Sequence, residues 1–279
     1  MTHTPTFEGP ATAGLSPGPG APARFAVPPF LRRIWVLRTL SVLLVLVCWE
    51  WAGRVPVSPV FPTFLDTLAA LWTMIADGSL FLAYGETLKP MAIGVFLSSL
   101  LAVTFGIGMG LLRPMEWFSL PVFVILQAAP MAAIIPLVTF IYGIGLAAKV
   151  LAVVIMSAPI IILNSYNGIR NTPPSLLEMS QSFLASRRQQ VFKIILPAAS
   201  GMIFAGFRLG LAQGLTGAIL AELMITPTGV GDLITYFRSL AAYPEMFATI
   251  FSIVIFASVS ITLLQKLEFA VFRPEQRAA

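Results

Sequence analysis

The sequence predicts an all-α integral membrane protein with about six transmembrane helices. Apolar residues make up 57% of the chain, charged residues only 10%, and the mean hydropathy is +0.89, which excludes an ordinary soluble domain. Uncharged runs long enough to cross about 30 Å of hydrocarbon as helices recur along the chain. The basic residues are also distributed unevenly between the two sides of the predicted membrane.

The first elements are a polar tail, one span and one amphipathic helix. Residues 1–29 are rich in Pro, Gly, Ala and Thr, which predicts a disordered cytoplasmic tail rather than a signal peptide. The first span is expected at 34–53. Residues 63–84 place apolar side chains at helical spacing but include two aspartates, so they form either an interfacial helix or an amphipathic helix buried against the bundle.

Five further spans are predicted. The run 90–112 has 23 residues without a charge, and 117–148 has 32 uncharged residues with three prolines, predicting one bent span followed by a turn at 143–146. The remaining spans are expected at 150–169, 194–223 and 246–266. Prolines inside membrane helices either simply kink them or free carbonyls toward a substrate, so Pro130, with Gln127 nearby, is a candidate for the translocation path.

The basic residues predict the orientation. With a cytoplasmic N-terminus, four basic residues fall outside: Arg54, Lys89, Lys149 and Arg238. Twelve fall inside: Arg24, Arg32, Arg33, Arg38, Arg113, Arg170, Arg187, Arg188, Lys193, Lys266, Arg273 and Arg277. This positive-inside bias predicts that both termini are cytoplasmic, together with the polar segment that begins near residue 171.

That polar segment has the spacing of two capped helices. Ser175 and Glu178 have the S-x-x-E spacing of a capping box, in which both side chains satisfy free amides at a helix start. Ser186 and Gln189 repeat the spacing, so a second short helix is expected to begin there and to stop near Pro197. The prediction is a helix, a tight turn, a second helix and then the membrane.

The same segment resembles the EAA loop of permease subunits of bacterial ABC importers, in particular the nitrate, taurine and alkanesulfonate family. The residues that match the family pattern are Glu178, Ser182, Ala185, Ser186, Arg187, Ile195, Leu196, Pro197 and Ala198. Met179 and Ser180 replace two alanines, and Leu184 stands where the family has glycine. A turn residue with positive φ costs a non-glycine residue about 1 kcal/mol or more, so the turn could be built differently here. A looser similarity extends over about 61–272.

The resemblance implies a type I ABC importer permease fold. The domains would be the tail 1–29, a permease domain at 30–273 with a coupling loop at about 171–196, and a cytoplasmic tail at 274–279. In such importers a permease pair, expected here to be a homodimer, meets two cytoplasmic ATPases that bind ATP and Mg²⁺, and a periplasmic binding protein delivers the solute. The chain itself would bind no cofactor and would lie among lipids in the bacterial inner membrane. The implied ATPase-coupling residues are Glu178, Ser182, Phe183, Leu184, Ala185, Ser186, Arg187 and Pro197; without the family pattern, an ordinary amphipathic loop would be the simpler interpretation.

The span 194–223 has two notable sets of residues. Gly206, Gly210 and Gly214 are spaced for close helix packing. Arg208 and Glu222 lie within about 40° of each other and are expected roughly opposite the glycines. An intramembrane charge must face protein or water, so Arg208 and Glu222 either line a path that favours anions or simply pair with other helices.

Missing residue types exclude other functions. The only histidine is His3 and the only cysteine is Cys48, which leaves no basis for a metal centre or a catalytic triad. None of the four lysines has the P-loop context, so the chain is not expected to be an enzyme and its energy must come from another subunit. Topology explains the net charge of +5, so no nucleic acid is expected. The expected solute is a small anion such as a sulfonate, taurine, nitrate or a carboxylate; the alternatives are an ABC permease for a neutral vitamin precursor and an ion-coupled secondary transporter.

Overall fold

The computed structural model describes residues 34–55, 60–225 and 227–272, and the regular elements in these ranges are helices. They are α1 (Ile34–Arg54), α2 (Phe64–Ala76), α3 (Ser79–Leu111), α4 (Arg113–Ala128), α5 (Met131–Tyr142), α6 (Leu146–Arg170), α7 (Pro174–Ser182), α8 (Arg187–Gln190), a π-helix (Val191–Ile195), α9 (Leu196–Met224), α10 (Val230–Ser239) and α11 (Tyr243–Phe272). The predicted tails 1–29 and 274–279 lie outside the described residues.

The chain divides into two compact units, Met1–Cys48 and Trp49–Ala279. The described part of the first unit is most of α1. Its apolar side chains point outward in every direction, including the consecutive Leu43, Leu44 and Val45. A helix that is apolar all round suits a lipid environment, as the prediction of a first span required.

The helix predicted over 63–84 is in fact two helices. α2 begins at Thr63, whose hydroxyl accepts a hydrogen bond of 3.1 Å from the Asp66 amide, and the chain turns at Gly78 with φ of +80°. α3 then runs 33 residues, so the predicted span start at residue 90 was wrong. Glu86 and Lys89, which the prediction placed before the span, pair at 2.7 Å on an exposed face of α3, and Pro90 lies inside the helix.

Within the second unit, α2 packs against α3 and α11 with one face. Its buried residues Ala70, Leu71 and Met74 form a cluster with residues of α3 and α11. Leu65 and Trp72 on its other face are exposed. The interpretation as a helix buried against the bundle therefore holds for one face, while the outward face is apolar, as in an interfacial helix.

The single bent span predicted over 117–148 is a pair of helices. α4 and α5 meet at a bend of 107°. Ala129, the residue before Pro130, is extended with ψ of 143°, because the proline ring disfavours helical geometry in its predecessor. The predicted turn after α5 is present, with φ of +76° at Gly143.

The core of the second unit is formed by α3, α6 and α9. Small residues bring these helices close together: a Cβ on Gly106 of α3 would lie 2.6 Å from the Ile162 carbonyl oxygen of α6. Ser157 of α6 donates a hydrogen bond of 2.8 Å to Ser98 of α3 in the buried interior. Small residues and buried hydroxyls are the usual means of holding helices together in lipid.

The number of spans agrees with the prediction of about six. Within residues 34–55, 60–225 and 227–272, five helical runs are long and apolar enough to cross a membrane, and α4 with α5 makes a sixth if that bent pair is one span. One of the five is the run Arg187–Met224, which joins α8, the π-helix and α9 over 38 residues. The short cytoplasmic helix was predicted to stop near Pro197; this was wrong, because the helical run continues through Pro197, which closely follows the π-helix Val191–Ile195.

Candidate functional site

The coupling loop, residues 171–196, begins with α7. This helix starts at Pro174, and its N-cap residue Pro173 makes no side-chain capping bond. The capping box predicted from Ser175 and Glu178 was therefore wrong: Ser175 is already inside the helix, and a proline supplies the start through its fixed φ. Glu178 is exposed on α7, and its carbonyl oxygen accepts a hydrogen bond of 3.1 Å from Ser182.

The tight turn after α7 keeps a left-handed residue although no glycine is present. Leu184 has φ of +53°. Its amide bonds the Gln181 carbonyl at 2.9 Å, and the Ala185 amide bonds the Ser180 carbonyl at 3.0 Å. These two bonds form a Schellman motif, which satisfies the last carbonyls of a helix. The turn is thus built as a glycine would build it, with leucine accepting the strain.

The capping box predicted at Ser186 is confirmed. The Gln189 amide donates to the Ser186 hydroxyl at 3.3 Å, and the Ser186 amide donates to the Gln189 side chain at 2.9 Å. The buried Ser180 hydroxyl accepts a bond of 3.0 Å from the Gln190 side chain, tying α7 to α8. The loop is therefore held in one shape at its turn, at its second helix start and between its helices.

The outermost part of this loop is apolar. Phe183 is 80% exposed and Leu184 is 92% exposed, and we call this pair the coupling tip. Ala185 is half-buried, and Ser182, Ser186 and Arg187 are exposed around the pair. Burying two large side chains such as these is worth about 1.5–3 kcal/mol each, so the tip is a natural contact surface for a partner.

The three glycines of α9 lie where α9 meets α3 and α6. A Cβ on Gly206 would lie 2.7 Å from the Asn164 Cβ, and one on Gly214 would lie 2.6 Å from the Val95 Cγ2. A Cβ on Gly210 would overlap Ile161. Side chains of α3 and α6 therefore lie directly against the backbone of α9 along this line.

The two charges of α9 have separate partners. Arg208 pairs with Glu268 of α11 at 2.7 Å, with the two side chains 25% and 22% exposed. Glu222 is enclosed: it accepts hydrogen bonds of 2.9 Å from Thr87 and from the Gly231 amide, and lies 3.7 Å from the Lys149 ammonium. The expectation that Glu222 faces away from the glycines was wrong, because its partners on α3 and α6 belong to the helices that the glycines touch.

Sequence reasoning did not find these partners. Glu268 is 60 residues from Arg208, and Thr87 is 135 residues from Glu222, so no local pattern links them. The one available signal was the general rule that an intramembrane charge needs a partner. Lys149 was read only as a basic residue on the outer side.

Gln127 and Pro130 lie at the break between α4 and α5. Gln127 is exposed near the end of α4, and Pro130 is the exposed N-cap residue of α5. The structure does not bring them into contact with Arg208 or Glu222. Among the described residues, no group of three or more His, Cys, Asp or Glu side chains is arranged to hold a metal ion.

A family model described as "Binding-protein-dependent transport system inner membrane component" matches residues 94–272. The chain belongs to this family. Among relatives of this chain is a protein of Bacillus subtilis named as an aliphatic sulfonates transport permease, SsuC, with 29% identity over 88% of this chain and 89% of that protein. The riboflavin transport permease RibX of Chloroflexus aurantiacus is 30% identical over 82% of this chain and 86% of RibX. The taurine transport permease TauC of Escherichia coli is 28% identical over 70% of this chain and 73% of TauC.

Solved structures agree with the fold. A chain of the methionine ABC transporter MetNI in an inward-facing conformation matches with a TM-score of 0.61 and 20% identity, covering 70% of this chain and 96% of that one. A chain of an amino acid ABC transporter matches with a TM-score of 0.57 and 18% identity, covering 73% of this chain and 97% of that one. This chain thus has the type I permease fold. It is a multi-pass permease subunit of an ABC importer, and not an ion-coupled secondary transporter.

Proposed function

We propose that this permease is driven by a cytoplasmic ABC ATPase that docks on the coupling tip. The observation that carries the proposal is the exposure of Phe183 and Leu184 on a loop whose shape is fixed by a Schellman turn and a capping box. Large apolar side chains held out toward water by a rigid loop indicate a protein contact. Glu178, Ser182, Ala185, Ser186 and Arg187 would form the rest of that contact.

The loop is also placed to transmit movement. α8, the π-helix and α9 form one helical run of 38 residues, about 57 Å long, and Pro197 does not interrupt it. A rigid shift of the coupling loop when the ATPases close on ATP and Mg²⁺ would therefore move α9 directly. Rigid movement of helices about an interface is a common form of switching.

The assembly that we propose has two copies of this permease, two ATPase subunits and one periplasmic binding protein. The positive-inside distribution supports an orientation with both termini and the coupling loop in the cytoplasm of a bacterium. ATP and Mg²⁺ would be bound by the ATPase, and the permease itself would bind no cofactor.

The solute that we propose is a small anion, with a sulfonate or taurine first. This rests on the similarity to proteins named for sulfonates and taurine, while RibX is named for riboflavin, which keeps a neutral solute as the second candidate. Gln127 and Pro130, exposed at the break between α4 and α5, are our candidates for the path. Arg208 could attract an anion only if its pair with Glu268 opened, and the enclosed Glu222 fits a structural role better.

Docking can be tested by placing a charge at the tip. In the Phe183→Glu variant we expect the ATPase to be lost on purification, because a carboxylate would have to be buried in an apolar contact. Phe183→Leu, which keeps the tip apolar, is the matched control and should retain the ATPase. If Phe183→Glu co-purifies with the ATPase and couples hydrolysis to uptake normally, the tip is not the docking site. A separate experiment identifies the solute. Uptake is measured in vesicles that contain the transporter with a sulfonate-binding protein or with a riboflavin-binding protein.

A further inference from the structure

A polar cluster joins four parts of the chain at the far end of α9 from the coupling loop; Lys149, Glu222 and Thr87 in it are buried, and Thr228 is exposed. Lys149 of α6 donates a hydrogen bond of 2.5 Å to Thr228 and lies 3.7 Å from Glu222 of α9. Thr87 of α3 donates to Glu222 at 2.9 Å and accepts from the Val230 amide at 2.9 Å. We call these four side chains, Lys149, Glu222, Thr87 and Thr228, the outer latch.

The latch holds the turn that connects α9 to α10. Gly229 in this turn has φ of +83°, and a side chain there would overlap the Glu222 carboxylate. The Gly231 amide, in the first turn of α10, donates to the same carboxylate at 2.9 Å. The start of α10 is therefore fixed to α3 and α6 through Glu222.

The charge pair in the latch is incompletely satisfied. The side chains of Lys149 and Glu222 are 6% and 0% exposed. Glu222 Oε1 has no hydrogen-bond partner among the described residues, although it faces the ammonium group at 3.7 Å. A buried pair with such a stretched geometry adds little stability over apolar side chains, and the best-attested use of such pairs is to select one arrangement over another.

The position of the latch indicates what it selects. The coupling loop enters the helical run at Arg187, and Glu222 lies near the end of the same run at Met224. The coupling loop joins α6 to α9, so a shift of the loop that slides α9 along α6 would move Glu222 relative to Lys149. Between the coupling loop and Glu222, α9 contacts α6 through glycines, so α9 contributes no side chains at these points of the contact.

We propose that the outer latch holds the α9–α10 turn in place and opens when α9 is moved by the coupling loop. Lys149 and Glu222 then act as positioning residues that make the outer face of the permease respond to the ATPase at the inner face. The proposal rests on the proposed function, since it requires a driven coupling loop.

The test uses the assembled transporter, with its ATPase and binding protein, in proteoliposomes. The double variant K149M/E222Q removes both charges while it keeps the side-chain lengths and an acceptor for the Thr87 hydroxyl. We expect solute imported per ATP hydrolysed to fall by at least about fivefold, with hydrolysis in the absence of binding protein raised. The matched control is R54M/E50Q, which removes the ion pair at the end of α1, with side chains 65% and 22% exposed, and should leave the ratio unchanged.

Two further variants keep the test decisive if the double variant does not assemble. Thr228→Val and Thr87→Val remove one hydroxyl each and leave the charges in place, and each should lower the ratio by about two- to fivefold. A wild-type ratio in the assembled double variant, or in both valine variants, would overturn the latch. If the wild-type permease neither binds its ATPase nor transports, the proposed function fails instead, so the two failures are distinguishable.

Discussion

Replacing Gly214 by alanine should destabilise the permease because α9 has no room for a side chain at this position. The new Cβ would lie 2.6 Å from Val95 Cγ2 and 3.3 Å from Val153 Cγ1, whereas ordinary contacts begin near 3.4 Å. Both valines are buried, at 4% and 0% exposure, and β-branched side chains have few alternative rotamers. The helices must therefore separate, and overpacking of this kind costs about 1–3 kcal/mol.

Gly201 of the same helix provides the matched control. A Cβ there has no neighbouring atom within 4 Å, so Gly201→Ala should be neutral or stabilising by up to about 1 kcal/mol. The assay is the free energy of unfolding of the purified permease in mixed micelles with increasing denaturing detergent. If the two variants unfold at the same detergent fraction, then α9 does not pack as described, and the account of the glycines is refuted.

Three other changes test the loop and the remaining ion pair. Leu184→Gly should remove the strain of a left-handed leucine and stabilise the loop by about 1 kcal/mol or less, measured as slower hydrogen exchange of the turn amides. The same change should weaken ATPase binding, because one side chain of the coupling tip is lost. Ser186→Ala should cost about 1 kcal/mol through loss of the cap, with faster exchange at the Gln189 amide as the readout; unchanged exchange would contradict the capping box. Glu268→Gln should lower the thermal stability of the permease by leaving Arg208 unpaired, and the added change Arg208→Gln should recover part of the loss. A loss in the double variant equal to the sum of the losses in Glu268→Gln and Arg208→Gln would argue against a coupled pair.

The features that the sequence predicted correctly depend on neighbouring residues. The capping box at Ser186 needs only the residue three positions later. The left-handed conformation at Leu184 was not predicted, because a leucine at this position suggested a differently built turn. The apolar runs predicted α1, α6 and α9 to within a few residues, because crossing a membrane sets a minimum length of apolar helix.

The features that it predicted wrongly depend on competition or on distance. Ser175 had the capping spacing, but Pro174 starts the helix, so the N-cap residue is Pro173, two residues earlier. Lys89 suggested a span boundary, yet it pairs within α3 and the helix continues. The partners of Glu222 come from α3, α6 and α10, and only the folded chain brings them together.

The unbroken helical run from Arg187 to Met224 fixes the direction in which the coupling tip points. Each residue added to or removed from that run would rotate everything before it by about 100° around the helix axis and shift it by about 1.5 Å. A single insertion between Gln190 and Gly206 would therefore aim the tip at a different side of the molecule, even if every side chain of the tip were kept. We expect this stretch to accept changes of residue type far more readily than changes of length.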